Sequence, residues 1–210
     1  MKQLILFLLI ISIGLVSCKQ KEKPGKTGTK ETATDSLQKI TTNTARDTSE
    51  IKNTIMDFYK WYNKNYEKFA AYHLYSSIKK KDNPPYKFNW EEGEKYLTFI
   101  RESVPQLGEA FINNQRQFFK QCDSAFKVDV KDDIPYGFDY DWYTNSQEDP
   151  QVLIDELNQS KQWITTINGD EAHVSVKGTF LDNGKQTETN IISFDMKKEN
   201  STWTIAKIAP

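Results

Sequence analysis

Residues 163–184 read WITTINGDEAHVSVKGTFLDNG, and apolar residues alternate with polar ones through most of this stretch. A period of two places successive side chains on opposite faces of a β-strand. The dipeptide Asn168-Gly169 between two such runs is typical of a tight β-hairpin turn. Residues 182–184, Asp-Asn-Gly, predict a second turn. The stretch therefore predicts a hairpin followed by a further strand.

The alternation continues from this hairpin to the end of the chain. Residues 189–197 place three apolar side chains on one face, residues 198–201 predict a third turn, and residues 203–208 predict a last strand. Together these patterns predict a four-stranded antiparallel meander with one apolar face.

The residues before the sheet show helical periodicity. Apolar side chains recur at steps of three or four residues over 50–70, which predicts an amphipathic helix. Asn89 predicts the cap of a second helix, and Pro105 predicts the beginning of a third. The apolar stripe of this third helix consists of Leu107, Phe111, Phe118, Cys122 and Phe126, with Phe119 beside it. Residues 151–160 predict a short fourth helix.

Composition limits the class of protein and the number of domains. The 210 residues carry a formal net charge of −1, which gives no electrostatic basis for binding a nucleic acid. A mean hydropathy of −0.71 excludes a protein with several membrane spans. We predict a single α+β domain over residues 50–210, with N-terminal helices packed against the four-stranded antiparallel meander.

The first residues predict a lipoprotein signal peptide. A short positive start precedes the apolar run Leu4–Val16, which is too short to span a bilayer comfortably but fits the core of a signal peptide. The run ends in Leu-Val-Ser-Cys, which resembles a bacterial lipobox. We expect residues 1–17 to be removed by cleavage between Ser17 and Cys18, and acyl chains on Cys18 to anchor the protein to a membrane. The alternative is an ordinary signal peptide followed by an unrelated cysteine.

Residues 18–49 are rich in lysine and threonine and contain no aromatic residue. Such a segment cannot bury enough apolar surface to offset its ordering entropy, so we predict a flexible tether. Lys19-Gln20 is not an inner-membrane retention signal of the aspartate type, which favours the outer membrane, with the domain facing the periplasm or the cell surface. Ser36 lies in Asp-Ser-Leu, which resembles the O-glycosylation motif of Bacteroidetes, and is a candidate modification site.

The two cysteines have different predicted roles. If Cys18 carries lipid, Cys122 is the only thiol left, so an internal disulfide is excluded. Cys122 falls on the apolar side of the third helix, where we expect a small buried core residue.

Residues 136–150 read YGFDYDWYTNSQEDP, in which aromatic and acidic residues alternate. Their oxygens suit a hard cation, but the order lacks the glycine and the glutamate of a calcium loop. Exposed rings would suit a docking surface, whereas buried rings with turn-capping carboxylates would make the stretch structural, which is the role we favour. The candidate ligand or partner surface consists of Asp139, Asp141, Trp142, Tyr143, Gln147 and Asp149. We expect no metal site and no cofactor.

The sequence predicts no catalytic group. His73 ends the first helix and His173 lies on the polar face of a strand, and neither has a cysteine or a second histidine at metal-ligand spacing. The motifs Gly-x-Ser-x-Gly and His-Glu-x-x-His do not occur in the chain. We therefore expect binding rather than catalysis.

The chain resembles a known superfamily at its end and a known family of lipoproteins at three other places. Its end reads W-x-I-x-x-I, with Trp203, Ile205 and Ile208, and resembles the cystatin-like cone of the nuclear-transport-factor-2-like superfamily. The lipobox, residues 137–141 and residues 145–148 resemble bacterial lipoproteins of domain-of-unknown-function family 3828. That family has Gln-Asp after its acidic-aromatic stretch, where this chain has Gln-Glu-Asp. The resemblance implies a curved meander and an envelope location, but no particular reaction.

These observations predict a monomeric lipoprotein, anchored in the outer membrane through Cys18, whose domain binds another envelope protein or a small ligand. One alternative is an immunity-type protein that neutralises a periplasmic toxin. A second alternative, from another class, is a small hydrolase or isomerase that uses the cone as its pocket.

Overall fold

A computed structural model describes residues 32–79, 84–128, 131 and 134–209, with side chains from residue 44 onward apart from that of Asp182. The helices in these ranges are α1 (Thr32–Asn65), α2 (Trp90–Ser103), α3 (Glu109–Val128) and α4 (Pro150–Gln159). The strands are β1 (Tyr75–Ser77), β2 (Tyr86–Phe88), β3 (Gln162–Asn168), β4 (Glu171–Asp182), β5 (Lys185–Glu199) and β6 (Thr202–Ala209). The described chain is therefore an α+β domain, as predicted.

The last four strands form one antiparallel sheet in chain order, which confirms the predicted meander. The first hairpin loop is Gly169-Asp170, one residue later than predicted, because Asn168 pairs with Glu171. Gly169 has a φ of +62°, which the first position of a type II′ turn requires. The later turns centre on Asn183-Gly184 and Asn200-Ser201, where φ is positive at both positions, as in type I′ turns.

One face of the sheet forms the core together with the helices. The buried apolar side chains of β4 and β5 are those of Ala172, Val174, Val176, Ile192, Phe194 and Met196, and all of them lie on the predicted apolar face. Trp203 and Ile205 of β6 are buried in the same core. The register shifts after Val176 and after Asp195. Bulges of this kind bend a strand and increase its twist.

Helix α1 contains the predicted amphipathic segment. Its buried residues include Ile51, Ile55, Phe58, Tyr59 and Tyr62. The hydroxyl of Thr54 donates a hydrogen bond to the backbone oxygen of Trp203 at 3.3 Å and joins the helix to β6. The amide of Asn63 donates to Gln151 at 2.9 Å and joins it to α4, the predicted short fourth helix.

The third predicted helix begins later than Pro105, at Glu109. The residues in between pair with β6 instead: the backbone N–H of Ile205 donates to Gln106 at 2.8 Å, and that of Gly108 donates to Ile205 at 3.2 Å. Because the backbone of residues 106–108 is hydrogen-bonded to β6, it cannot also form the first turn of a helix. Helix α3 therefore begins after these residues.

The buried face of α3 differs slightly from the predicted stripe. Phe119, expected beside the stripe, is completely buried and packs on Phe88 with ring centroids 4.8 Å apart. Phe118, expected within the stripe, is only partly buried. The cap of α2 is confirmed, because the side-chain oxygen of Asn89 accepts a hydrogen bond from the backbone N–H of Glu92 at 3.4 Å.

The predicted tether is too long at its C-terminal end. Residues 32–49 belong to helix α1 rather than to a flexible segment. The Asp47 carboxylate accepts hydrogen bonds from the indole N–H of Trp203 at 3.0 Å and from the ammonium of Lys198 at 2.9 Å. Folded structure therefore begins before the predicted boundary at residue 50.

Most of the other predictions about the N-terminal segment concern residues outside the described ranges. The predicted signal peptide (1–17), its cleavage site at Ser17 and Cys18, and the first part of the tether (18–31) lie outside the described residues. The candidate glycosylation site Ser36 lies within the backbone of α1. Within the described part of the chain, none of the helices combines the length and the apolar character needed to cross a membrane.

We expect Asp47→Ala to lower the free energy of unfolding by about 1 to 2 kcal/mol, because it removes two charge-assisted hydrogen bonds and leaves the buried N–H of Trp203 unpaired. Chemical denaturation of the purified protein measures this loss. Asp57→Ala is the matched control, because Asp57 lies on the same helix and its only described partner is the exposed Lys60. Equal effects of the two substitutions would contradict a structural role for the Asp47 contact.

The stabilising effect of Asp47 should depend on pH. Hydrogen bonds from Lys198 and from Trp203 lower the pKa of the Asp47 carboxyl below its usual value of 3.8. A carboxyl of this kind contributes stability that is present above its unfolded-state pKa and is lost as the pH falls through its folded-state pKa. The difference between wild type and Asp47→Ala should therefore be full at neutral pH and shrink as the pH falls below 3.8.

Candidate functional site

Asp141 holds the loop between α3 and α4 in place. Its Oδ1 accepts hydrogen bonds from the backbone N–H groups of Tyr143 at 2.7 Å and of Thr144 at 3.1 Å. Its Oδ2 accepts a hydrogen bond from the hydroxyl of Tyr62 on α1. The carboxylate is therefore oriented by three donors, and it ties the loop to the first helix.

Trp142 and Gly137 close the same loop from its other side. The indole N–H of Trp142 donates to the backbone oxygen of Gly137 at 2.5 Å. The indole ring, which is partly buried, packs against Phe118 and Phe138 with centroid distances of 5.4 and 5.1 Å. Gly137 has a φ of +80°, and a Cβ there would lie 2.6 Å from the ring of Phe118. Glycine is therefore required for this close approach.

Buried tyrosines form the wall behind the loop. Tyr143 is 2% exposed, and its hydroxyl lies 2.5 Å from the hydroxyl of Tyr96. The hydroxyl of Tyr59 donates to the backbone oxygen of Tyr143 at 2.6 Å. Burial raises the pKa of Tyr59, Tyr62, Tyr96 and Tyr143 above the usual value, and the nearby Asp141 carboxylate adds to each of these shifts. All four phenols therefore stay protonated near neutral pH.

A cleft of about 760 Å³ opens beside these tyrosines, between the C-terminal end of α1, the chain that follows it, and the loop. We call it the tyrosine cleft. Its wall consists of Tyr62, Tyr66, Phe69, Ala70, Tyr72, His73, Leu74, Tyr75, Ser76, Ser77, Tyr86, Tyr96, Phe138, Tyr140, Asp141, Trp142 and Tyr143. Most of these side chains are aromatic. Among the lining residues that the structure describes, Asp141 is the one that carries a full charge when histidine is neutral.

Three of the tyrosines that line the cleft are more than a third exposed. Tyr66 is 38% exposed, Tyr75 is 37% exposed and Tyr140 is 43% exposed. The ring of Tyr75 is held edge-on by Phe138 at 4.7 Å. Rings that are partly supported and partly open can contact a ligand without the cost of ordering free side chains.

The structure brings half of the predicted surface residues to this cleft. Asp141, Trp142 and Tyr143 line it. Asp139 and Gln147 lie elsewhere in the loop, where the amide of Gln147 donates to the backbone oxygen of Asp139 at 2.7 Å. Asp149, the remaining candidate, is the N-terminal cap of α4 and accepts a hydrogen bond from the backbone N–H of Gln151 at 2.8 Å.

Sequence reasoning missed the other side of the cleft. Tyr66, Tyr72, His73 and Tyr75 all line it, and they come from the chain just after α1. The density of tyrosine in this short segment was the one available signal. Nothing in the local pattern shows that the segment faces a loop that lies far along the chain.

The second histidine of the chain, His173, is not among the residues that line the cleft. His173 is exposed and lies 2.8 Å from the carboxylate of Asp195 on the polar face of the sheet. Among the described residues, no group of three or more histidine, cysteine, aspartate or glutamate side chains could hold a metal ion. The described residues that line the tyrosine cleft include none from the sheet formed by β3 to β6.

Comparison of the chain with protein-family models, with curated proteins and with solved structures gives no match.

Proposed function

We propose that the protein is a membrane-anchored envelope lipoprotein whose domain is a binding module, with the tyrosine cleft as its ligand site. The observation that carries this proposal is a concave, aromatic wall with one oriented carboxylate, Asp141. Ligand sites of proteins are typically clefts of about 300 to 1,000 Å³ with apolar walls and a few fixed polar groups. The volume and the lining of this cleft agree with that description.

The tyrosine cleft suits a small ligand better than a large protein partner. Its concave shape offers contact on several sides to a small molecule, whereas a protein partner usually docks on a wider surface. The wall is built before a ligand arrives, because Tyr62 and Tyr143 are fixed to Asp141 and Tyr96 is fixed to Tyr143. A preformed wall lowers the entropic cost of binding.

The chemistry of the wall supports binding rather than catalysis. A phenol whose pKa is raised is a poor general base near neutral pH, and this applies to Tyr62 and Tyr96. The Asp141 oxygens already accept three hydrogen bonds, so this carboxylate is engaged in holding the loop. The groups best placed to act are thus better suited to holding a ligand than to moving its protons.

The position of the cleft relative to the proposed anchor supports the same function. Helix α1 has 34 residues and is therefore about 50 Å long. The lipid anchor proposed at Cys18 precedes this helix, and the cleft lies at its far end, beside Tyr62 and Tyr66. The proposed anchor and the proposed ligand site therefore lie on opposite sides of this helix along the chain.

The proposal includes the family resemblance and the form of the sheet. We propose that the meander is a cystatin-like cone and that the chain is related to domain-of-unknown-function family 3828. The bulges after Val176 and Asp195 support a curved sheet. An experimental structure with strands β3 to β6 lying flat would contradict this part of the proposal.

A thermal unfolding screen tests the binding function. The probes are millimolar amines, saccharides, carboxylates and nucleosides, each added to the purified protein. We expect at least one probe to raise the melting temperature of the wild type by a few degrees, because a ligand that binds only the folded state stabilises it.

Two substitutions of exposed tyrosines make the screen specific to the cleft. Tyr140→Leu removes an open ring from the wall, and Tyr136→Leu removes an exposed ring that is not part of it. The shift should be lost in Tyr140→Leu and kept in Tyr136→Leu. A shift of equal size in both variants, or no shift with any probe, would contradict the proposed site.

A further inference from the structure

We infer that the tyrosine cleft binds an organic cation, a ligand with an ammonium group on an apolar body. This inference rests on the proposed binding function and specifies the charge of its ligand. It is carried by two features of the wall that act together: a single carboxylate and the open faces of several tyrosine rings.

The charge of the cleft has one sign. Asp141 supplies a carboxylate, and the described residues that line the cleft include no lysine or arginine. Within the described part of the chain, Asp141 forms no ion pair with a lysine or arginine, and its hydrogen-bond donors are two backbone amides and the Tyr62 hydroxyl. A cation entering the cleft would therefore find an oriented negative charge that has no cationic partner in the described structure.

The tyrosine rings of the wall favour a positively charged ligand, as the Asp141 carboxylate does. The face of a tyrosine ring carries partial negative charge and attracts ammonium groups within about 6 Å of its centroid. Tyr66, Tyr75 and Tyr140 line the cleft, and each of these residues is more than a third exposed. Aromatic cages of this composition are the usual protein sites for quaternary ammonium ligands.

Other ligand classes gain less from this wall. An anion would approach both the Asp141 carboxylate and the negative faces of the rings, so its binding would be opposed. A neutral saccharide could stack on Tyr75 or Tyr140, but it would gain nothing from the charge. The combination of one anion with open rings therefore selects a cation.

A pair of isosteric probes tests the charge directly. Choline and 3,3-dimethyl-1-butanol have the same shape, but only choline carries a positive charge. Titration of the purified protein by nuclear magnetic resonance measures both dissociation constants. We expect choline to bind at least about tenfold more tightly, the size expected for a desolvated cation at aromatic rings beside a carboxylate. Equal affinities, or no saturable binding of choline, would overturn the inference.

Variants assign the preference to named groups. Asp141→Asn should remove most of the preference for choline over its isostere, and Asp139→Asn, an exposed carboxylate of the same loop outside the wall, should leave it unchanged. Because Asp141→Asn also changes the loop, Tyr75→Leu provides a second test and should weaken choline binding about tenfold. Tyr136→Leu should have no effect. A preference that survives both Asp141→Asn and Tyr75→Leu would overturn the inference.

The outcomes separate this inference from the proposed function. If a saccharide binds and Tyr140→Leu abolishes its binding while choline does not bind, the cation inference is wrong and the binding function stands. If choline and every other probe fail to bind, both are wrong.

Discussion

Tyr143→Ala is expected to lower the free energy of unfolding by about 3 to 5 kcal/mol, the usual cost of removing a large aromatic side chain from a core. Tyr143 is 2% exposed, and its ring lies 4.8 Å from that of Tyr62 and 5.0 Å from that of Phe69. The alanine would leave a cavity among rings from several elements, and the hydroxyl of Tyr96 would lose its partner. Chemical denaturation followed by tryptophan fluorescence measures the loss.

Two further substitutions separate packing from hydrogen bonding. Tyr143→Phe keeps the ring but removes the hydroxyl, so it should cost only about 1 to 2 kcal/mol. Tyr136→Ala should change the stability by less than about 0.5 kcal/mol, because Tyr136 is 53% exposed and belongs to the same loop. Similar losses for Tyr143→Ala and Tyr136→Ala would mean that the loop does not depend on this buried ring.

The sheet could be predicted because its determinants are local. Alternation over a few residues fixes which side chains of a strand share a face, and Asp-Asn-Gly fixes where the chain turns. The shift of the first loop to Gly169-Asp170 comes from strand pairing that extends as far as Asn168. A turn motif thus places a hairpin, but the register decides which two residues form its loop.

The tyrosine cleft could not be predicted in the same way. Tyr62 and Asp141 are 79 residues apart in the chain, yet the hydroxyl of one donates to the carboxylate of the other. Composition pointed to Asp141 as a candidate, but its partners on α1 and in the chain after it depend on how the loop packs. The structural role and the ligand-binding role predicted for residues 136–150 do not exclude each other. Trp142 packs into the core on one side and lines the cleft on the other.

Two further differences between the prediction and the structure also result from contacts between residues that are far apart in the chain. Phe118 and Phe119 are adjacent and equally apolar, so periodicity cannot decide which one is buried, whereas the packing of Phe88 decides it. Asp47 lies in a polar segment whose composition predicts a tether, but its carboxylate accepts a hydrogen bond from Trp203, which lies 156 residues away. Where one long-range contact fixes a residue, local composition gives the wrong answer.

Cys18→Ala is expected to abolish labelling of the protein with radioactive palmitate and to remove it from the outer-membrane fraction. The expected physical cause is the loss of acyl chains: two or three chains give a stable anchor, because each buried methylene contributes about 0.8 kcal/mol. Metabolic labelling measures acylation, and fractionation of the envelope measures the location of the protein. The precursor should also keep its signal peptide, so it should migrate more slowly than the mature wild type in gel electrophoresis.

Cys122→Ala is the matched control, because it removes the other cysteine of the chain. The Cys122 side chain is completely buried, and burial raises the pKa of its thiol to about 12, so it offers little thiolate for acylation. Labelling and location should therefore be unchanged in Cys122→Ala, even if the smaller side chain costs some stability. Palmitate labelling that persists in Cys18→Ala would show that the lipobox assignment is wrong.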